Sequence, residues 1–192
     1  FEKGNTMFGC SFLKNKITGS EKERSAIEFL AALLVSYPEF YSATYVPEKE
    51  ALRVNIILQG DMSEDDMGDF SGFLKESIET YHDLSDGLVP IISDLQSTTT
   101  YGNDRSQTIT VFWTRDFETL SRGELTMAAD LFVERFKDKL VIDEKMPEHM
   151  DDNFADYESH LLDRILGEMS HLHLKKNLIG LREDNRVVVY NN

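Results

Sequence analysis

The chain has 192 residues, of which 41% are hydrophobic and 29% are charged, and its formal net charge is −15 at pH 7. This composition is typical of a folded soluble protein, and a chain of this length can bury one good core. The net charge argues against nucleic acid and anionic membrane surfaces as partners, because both are themselves negatively charged. A basic protein partner is compatible with it.

The sequence indicates neither a membrane span nor a disulfide. No apolar run approaches the roughly 20 residues that cross a bilayer. Cys10 is the single cysteine, and we interpret it as a small buried hydrophobe. A lone cysteine favours a reducing compartment, so we expect a cytoplasmic protein. Because the chain starts at Phe1, we expect it to be trimmed or a fragment, and a preceding signal segment is not excluded.

The first predicted helix covers about residues 20–36. Ser20 and Glu23 fit a capping box, in which each side chain bonds the backbone amide of the other residue. Pro38 ends this helix, because proline disfavours helical geometry at the residue before it. A predicted β-hairpin follows, since the two segments on either side of "PEKE" read as strands and the second alternates apolar and polar residues.

A second helix is predicted at 63–83, where Ser63 is the cap and the acids after it suit the positive end of the helix dipole. Two further predicted strands flank "YGNDRS", a turn-rich joint. Ser121 and Glu124 then fit another capping box, which opens a third helix at 121–140. The order strand-strand-helix therefore occurs twice.

Two ββα units merge most simply into one antiparallel sheet with helices on one face, so we predict an α+β fold with residues 1–142 as its core domain. Residues 143–192 are predicted to form a charged linker, a helix at about 151–172 and a hairpin, which packs on the core or on a second subunit. Phe112 and Trp113 lie on opposite sides of one strand. This predicts cover on both sheet faces, by helices and by a second subunit.

A metal site is one hypothesis for function. Glu-x-x-His places a carboxylate and an imidazole on one side of a helix, as in di-iron proteins. The chain contains this element twice, as Glu79 with His82 and as Glu168 with His171. The simpler interpretation of His82 is a side chain that meets the free carbonyls at a helix end.

An exposed or interfacial flank is the competing interpretation of the last helix. At 100° per residue, His160, Arg164 and His171 fall together, more than about 100° from the centre of the apolar stripe. Val187 and Val189 in the last strand also need an apolar partner. We therefore predict these five residues as an interface and a homodimer as a possible assembly.

No motif of catalysis accompanies this scaffold. The sequence contains no glycine-rich phosphate loop and no Gly-x-Ser-x-Gly elbow. We predict a non-catalytic, acidic binding, adaptor or regulatory module with a protein partner and no cofactor. The alternatives are a metal-dependent enzyme that uses the two Glu-x-x-His pairs, and an acidic chaperone or decoy for a basic protein.

Overall fold

The computed structural model of this protein describes residues 20–142, 152–183 and 186–191. Cys10, most of the predicted linker and the tip of the C-terminal hairpin lie outside these ranges. The helices are α1 (Glu21–Ser36), α2 (Glu64–Ser85), α3 (Arg122–Phe136) and α4 (Asp152–Met169). The strands are β1 (Ser42–Val46), β2 (Ala51–Gln59), β3 (Ser93–Tyr101), β4 (Gln107–Asp116), β5 (Leu178–Glu183) and β6 (Arg186–Asn191).

The six strands form one sheet in the order β3-β4-β2-β1-β5-β6, and every neighbouring pair is antiparallel. The predicted α+β fold is confirmed. The two hairpins of the ββα units join through β2 and β4, and the C-terminal hairpin continues the same sheet through β5 against β1.

One face of the sheet carries the core. Ala43, Val54 and Trp113 lie opposite one another in the register, and all three are buried. Because side chains two residues apart share a face, the alternating apolar residues of β1, β2 and β4 join them there. A Cβ at Gly180 would lie 3.0 Å from Cδ1 of Leu34, so the glycine allows α1 to lie close to β5.

The apolar side chains on the opposite face of the sheet are only partly buried. Phe112, Ile57 and Val188 point to this side, and each is partly exposed. In the described part of the chain the helices α1, α2 and α3 pack on the core face, and α4 packs on α1. Nothing among the described residues closes the second face, for which the sequence predicted a second subunit.

Of the two predicted capping boxes, one forms completely and the other only in part. The capping box of α1 is confirmed: Ser20 accepts from the Glu23 amide at 3.3 Å, and Glu23 accepts from the Ser20 amide at 3.0 Å. At α3, Ser121 accepts from the Glu124 amide at 3.2 Å. The Glu124 carboxylate, however, turns into the core instead of back to Ser121, so the second predicted box is only half formed.

The predicted third helix is too long. It ends at Phe136 and not at residue 140, because Lys137 adopts a φ of 40° and a short 3-10 turn follows. This change of direction brings Leu140 beside Leu58, with which it forms an isolated antiparallel bridge.

The C-terminal hairpin contributes to the same core. Leu178 and Val187 are buried in it, and Val189 packs against it. None of the helices in the described ranges has the length and hydrophobicity that a membrane-spanning segment requires.

Candidate functional site

Three charged or titratable side chains lie together inside the apolar core. Arg115 at the end of β4, Glu124 in the first turn of α3 and His82 in the last turn of α2 are at most 1% exposed. Burial of such groups is costly unless each one is paired and hydrogen-bonded. Their contacts therefore decide whether they form a reactive site or a structural network.

Arg115 is surrounded by acceptors. Its Nε and Nη2 atoms donate to the two oxygens of Glu124 at 2.5 and 2.9 Å, which is a two-pronged pair. Its Nη1 donates to Oδ2 of Asp116 at 2.7 Å, and its Nη2 donates to the hydroxyl of Thr119 at 3.0 Å. The guanidinium has two carboxylates and further oxygen acceptors around it.

His82 bridges two carboxylates from different elements. Its Nε2 lies 2.8 Å from Oε2 of Glu124, and its Nδ1 lies 2.9 Å from Oδ1 of Asp86. Burial alone would lower the pKa of His82, but the hydrogen bonds to Asp86 and Glu124 outweigh it and raise the pKa above its ordinary value of 6.5. The imidazolium form, which donates from both nitrogens, is therefore stabilised.

The network also holds the loop that connects α2 to β3. Oδ2 of Asp116 accepts from the amides of Ile91 and Ile92, both at 3.0 Å, and Oδ1 of Asp86 accepts from the amide of Leu88 at 2.8 Å. Arg115 donates to the carbonyl of Ile92. Burial would raise the pKa of Asp116, but the amide donors and Arg115 keep it below its ordinary value.

This arrangement is suited to structure and not to reaction. Both nitrogens of His82 are occupied by carboxylates, so neither is free to activate a nucleophile or to bind an ion. Arg115 likewise has each of its three nitrogens bonded to oxygen acceptors. We conclude that the network fastens α2, α3, β4 and the connecting loop to one another.

An open groove lies on the outer side of the same two helices. Phe73 and Leu84 of α2 are 54% and 83% exposed, although both are large apolar side chains. Phe73 lies between two lobes of the groove. One lobe, of about 460 Å³, extends past Leu84 and Met127. The other, of about 620 Å³, extends past Leu131 to Arg135. The apolar surface continues along the chain into the connecting loop, where Leu88, Val89 and Ile91 are exposed.

The predicted metal ligands lie in different surroundings. Glu79 is exposed on α2, with its carboxylate 4.0 Å from Lys75. His82 is buried against Asp86 and Glu124. Glu168 and His171 are exposed at and beyond the end of α4. Among the residues that the structure describes, no three His, Cys, Asp or Glu side chains are grouped so that they could hold a metal ion.

The predicted interface residues divide into two groups. His160 and Arg164 are exposed on α4, and His171 is exposed just beyond its end. Val187 is 3% exposed and belongs to the core of its own chain, and Val189 packs against that core. The apolar partner that these valines required is supplied within the chain.

Sequence reasoning missed the network, although one signal for it was present. Ile109, Val111 and Trp113 alternate along β4 on the buried side, and the next position of that series is Arg115. A charged side chain at a core position requires a buried carboxylate. That requirement gives no means of choosing Glu124 among the 35 acidic residues of the chain.

No family model matches this chain, and neither the curated proteins nor the solved structures contain a match to it.

Proposed function

We propose that this protein is a non-catalytic binding module that holds an amphipathic, basic helix of a protein partner in the groove between α2 and α3. The observation that carries the proposal is the exposure of Phe73 and Leu84, two large apolar side chains on one side of α2 that line an open groove. Apolar side chains that line a groove between helices are a common way to receive the apolar face of another helix.

The spacing of the groove residues suits a helical partner. Phe73, Ser77, Thr80 and Leu84 follow one another at intervals of four, three and four residues, which is the spacing of a coiled-coil seam. The two large side chains stand at the ends of this seam and the small ones between them. Met127 of α3 lies beside the seam. A partner helix can therefore place its own large side chains over Ser77 and Thr80.

The acidic residues beside the groove favour a basic partner. Asp69, Glu76 and Asp83 are exposed and lie seven residues apart, so they form an acidic row beside the seam. Residues at this flanking position pair with opposite charges on the neighbouring helix and so choose the partner. The net charge of −15 attracts a basic partner at long range and repels nucleic acid.

Two designed peptides test the proposal. Both have leucine at the a and d positions of a heptad, and they differ only in lysine or glutamate at the flanking positions. We expect fluorescence anisotropy to show that the lysine peptide binds, with an affinity that falls as salt is added. Phe73→Glu should weaken it at least about tenfold, equivalent to about 1.4 kcal/mol.

Tyr41→Glu is the matched control, because Tyr41 is an exposed aromatic residue just before β1, on neither α2 nor α3. It should retain the affinity of the unmodified protein. The proposal is wrong if neither peptide binds, if the glutamate peptide binds equally well, or if Phe73→Glu leaves the affinity unchanged.

A further inference from the structure

The strand β3 lies at one edge of the sheet, and its C-terminal half is exposed and uncharged. It lies at the end of the strand order, and among the described residues it pairs with β4 alone. From Gln96 to Tyr101 every residue is exposed, on both faces of the sheet. A long edge of this kind presents a row of unpaired amides and carbonyls to any strand that approaches.

The free backbone groups can be assigned residue by residue. The backbone amide of Gly102 donates to the carbonyl of Ser106 at 2.8 Å, and the backbone amide of Asp116 donates to the carbonyl of Ile92 at 3.4 Å. In the register of β3 with β4, the even-numbered residues of β3 therefore bond to β4. The amides and carbonyls of Leu95, Ser97, Thr99 and Tyr101 point outwards.

The edge lacks the features that usually prevent strand pairing. Natural edges are protected by charged residues, above all lysine, by proline or by a bulge. Residues 95–101 read "LQSTTTY", with no charge and no proline. The rest of this acidic surface repels a second copy of the chain, whereas this strip allows two copies to meet without placing like charges opposite each other.

We propose that two copies of this chain pair antiparallel through β3 and form one continuous sheet across a dimer, with the two-fold axis at Thr98. Only odd-numbered residues have free backbone groups, so hydrogen-bonded pairs must join odd to odd. An axis at Thr98 satisfies this rule and also sets Leu95 of each copy opposite Tyr101 of the other. These are the two large apolar side chains of the strip, and both lie on the helix side of the sheet.

Sedimentation equilibrium on charge variants tests the edge. We expect the unmodified protein to be a dimer, and Thr98→Lys to weaken it at least about tenfold, because two lysines would face each other at the axis. Tyr190→Lys on β6, the opposite edge of the sheet, is the matched control and should leave the dimer intact. A monomeric unmodified protein overturns the proposal, as does a dimer that survives Thr98→Lys. A dimer lost only with Tyr190→Lys would move the interface to the C-terminal hairpin.

Cysteine cross-linking tests the register. In a Cys10→Ser background, Thr98→Cys places two thiols opposite each other in a non-hydrogen-bonded pair, where the Cα atoms lie about 4.5 Å apart, within reach of a disulfide. Gln96→Cys is on the same face, but it would oppose residue 100 of the second copy. We expect rapid oxidation to a covalent dimer for Thr98→Cys alone. Equal or faster cross-linking of Gln96→Cys overturns the proposed axis.

Discussion

The Nε2 atom of His82 lies 2.8 Å from Oε2 of Glu124, so the last turn of α2 is fastened to the first turn of α3 inside the core. The same carboxylate receives two hydrogen bonds from Arg115. One glutamate thus joins three elements, and it does so beneath the helices that form the groove. The network sets how α2 and α3 lie side by side.

Stability should decrease as the pH rises above about 6.5. The folded state raises the pKa of His82 above 6.5, because the hydrogen bonds to Asp86 and Glu124 outweigh burial. Protonated His82 therefore stabilises the fold fully below pH 6.5, and this contribution is lost as the pH rises through the raised pKa. Urea unfolding from about pH 5.5 to 8.5 should show the decrease.

His82→Gln should remove that pH dependence and lower stability at every pH in the series. His173→Gln is the matched control, since His173 is exposed and bonded to Glu50 at the surface. An unchanged slope in His82→Gln would show that another group causes the decrease.

At acid pH the dependence of stability on pH has the opposite direction. The lowered pKa values of Asp86 and Asp116 add stability that is lost as the pH falls below about 3.8.

Glu124→Gln should be strongly destabilising. It removes the negative charge between Arg115 and His82, and the loss of one partner from a buried ion pair costs about 3–5 kcal/mol. The pKa of His82 should also fall, because burial is then less well opposed. NMR titration of the imidazole and urea unfolding measure the two effects. Glu134→Gln, on the exposed side of the same helix, should change neither.

Gly123→Ala should disturb the junction of α2 and α3. An added Cβ would clash with the hydroxyl of Tyr81 and lie 3.1 Å from its Cζ, so the ring would have to leave Ser121, to which its hydroxyl is bonded at 3.0 Å. The tyrosine can move at its far end and alanine has the higher helix propensity, so we expect a net loss of no more than about 1 kcal/mol in thermal or urea unfolding. In the Tyr81→Phe background the loss should be smaller, because the clashing atom is absent. Equal losses in both backgrounds would contradict this explanation.

Two adjacent valines should respond differently to the same change. Val187 is buried on the helix side of β6, and Val188 is half-exposed on the other side. Val187→Thr buries a hydroxyl and should cost about 1–3 kcal/mol, whereas Val188→Thr should cost less than about 0.5 kcal/mol. Similar small losses at both positions would mean that the hairpin contributes little to the core.

Much of the fold could be predicted because its signals are local. The alternation of Ile109, Val111 and Trp113 put these residues on one face of β4, and all three are buried. The pair Ser20 and Glu23 marked the start of α1 through a bond between residues three apart. Side-chain periodicity and caps depend on the nearest residues in the chain, so the sequence contains them in full.

The site could not be predicted in the same way. The sequence assigned Glu124 to a capping box by its spacing from Ser121, while the folded chain turns it towards Arg115 and His82. A local cap contributes about 1 kcal/mol, whereas leaving a buried guanidinium without a carboxylate costs about 3–5 kcal/mol. The free energy at stake in the buried ion pair is therefore larger than that of the local cap.

The sequence by itself determined the helices, the strands and the sides of them that are buried. Only the tertiary structure decided that α2 and α3 lie together to form a groove, that β3 is left at an edge while β5 and β6 extend the sheet, and which carboxylate meets each buried cation. The physical reason is that the spacing of apolar residues in the sequence indicates which side of a helix or strand is buried, while packing between distant segments decides which residues that side contacts.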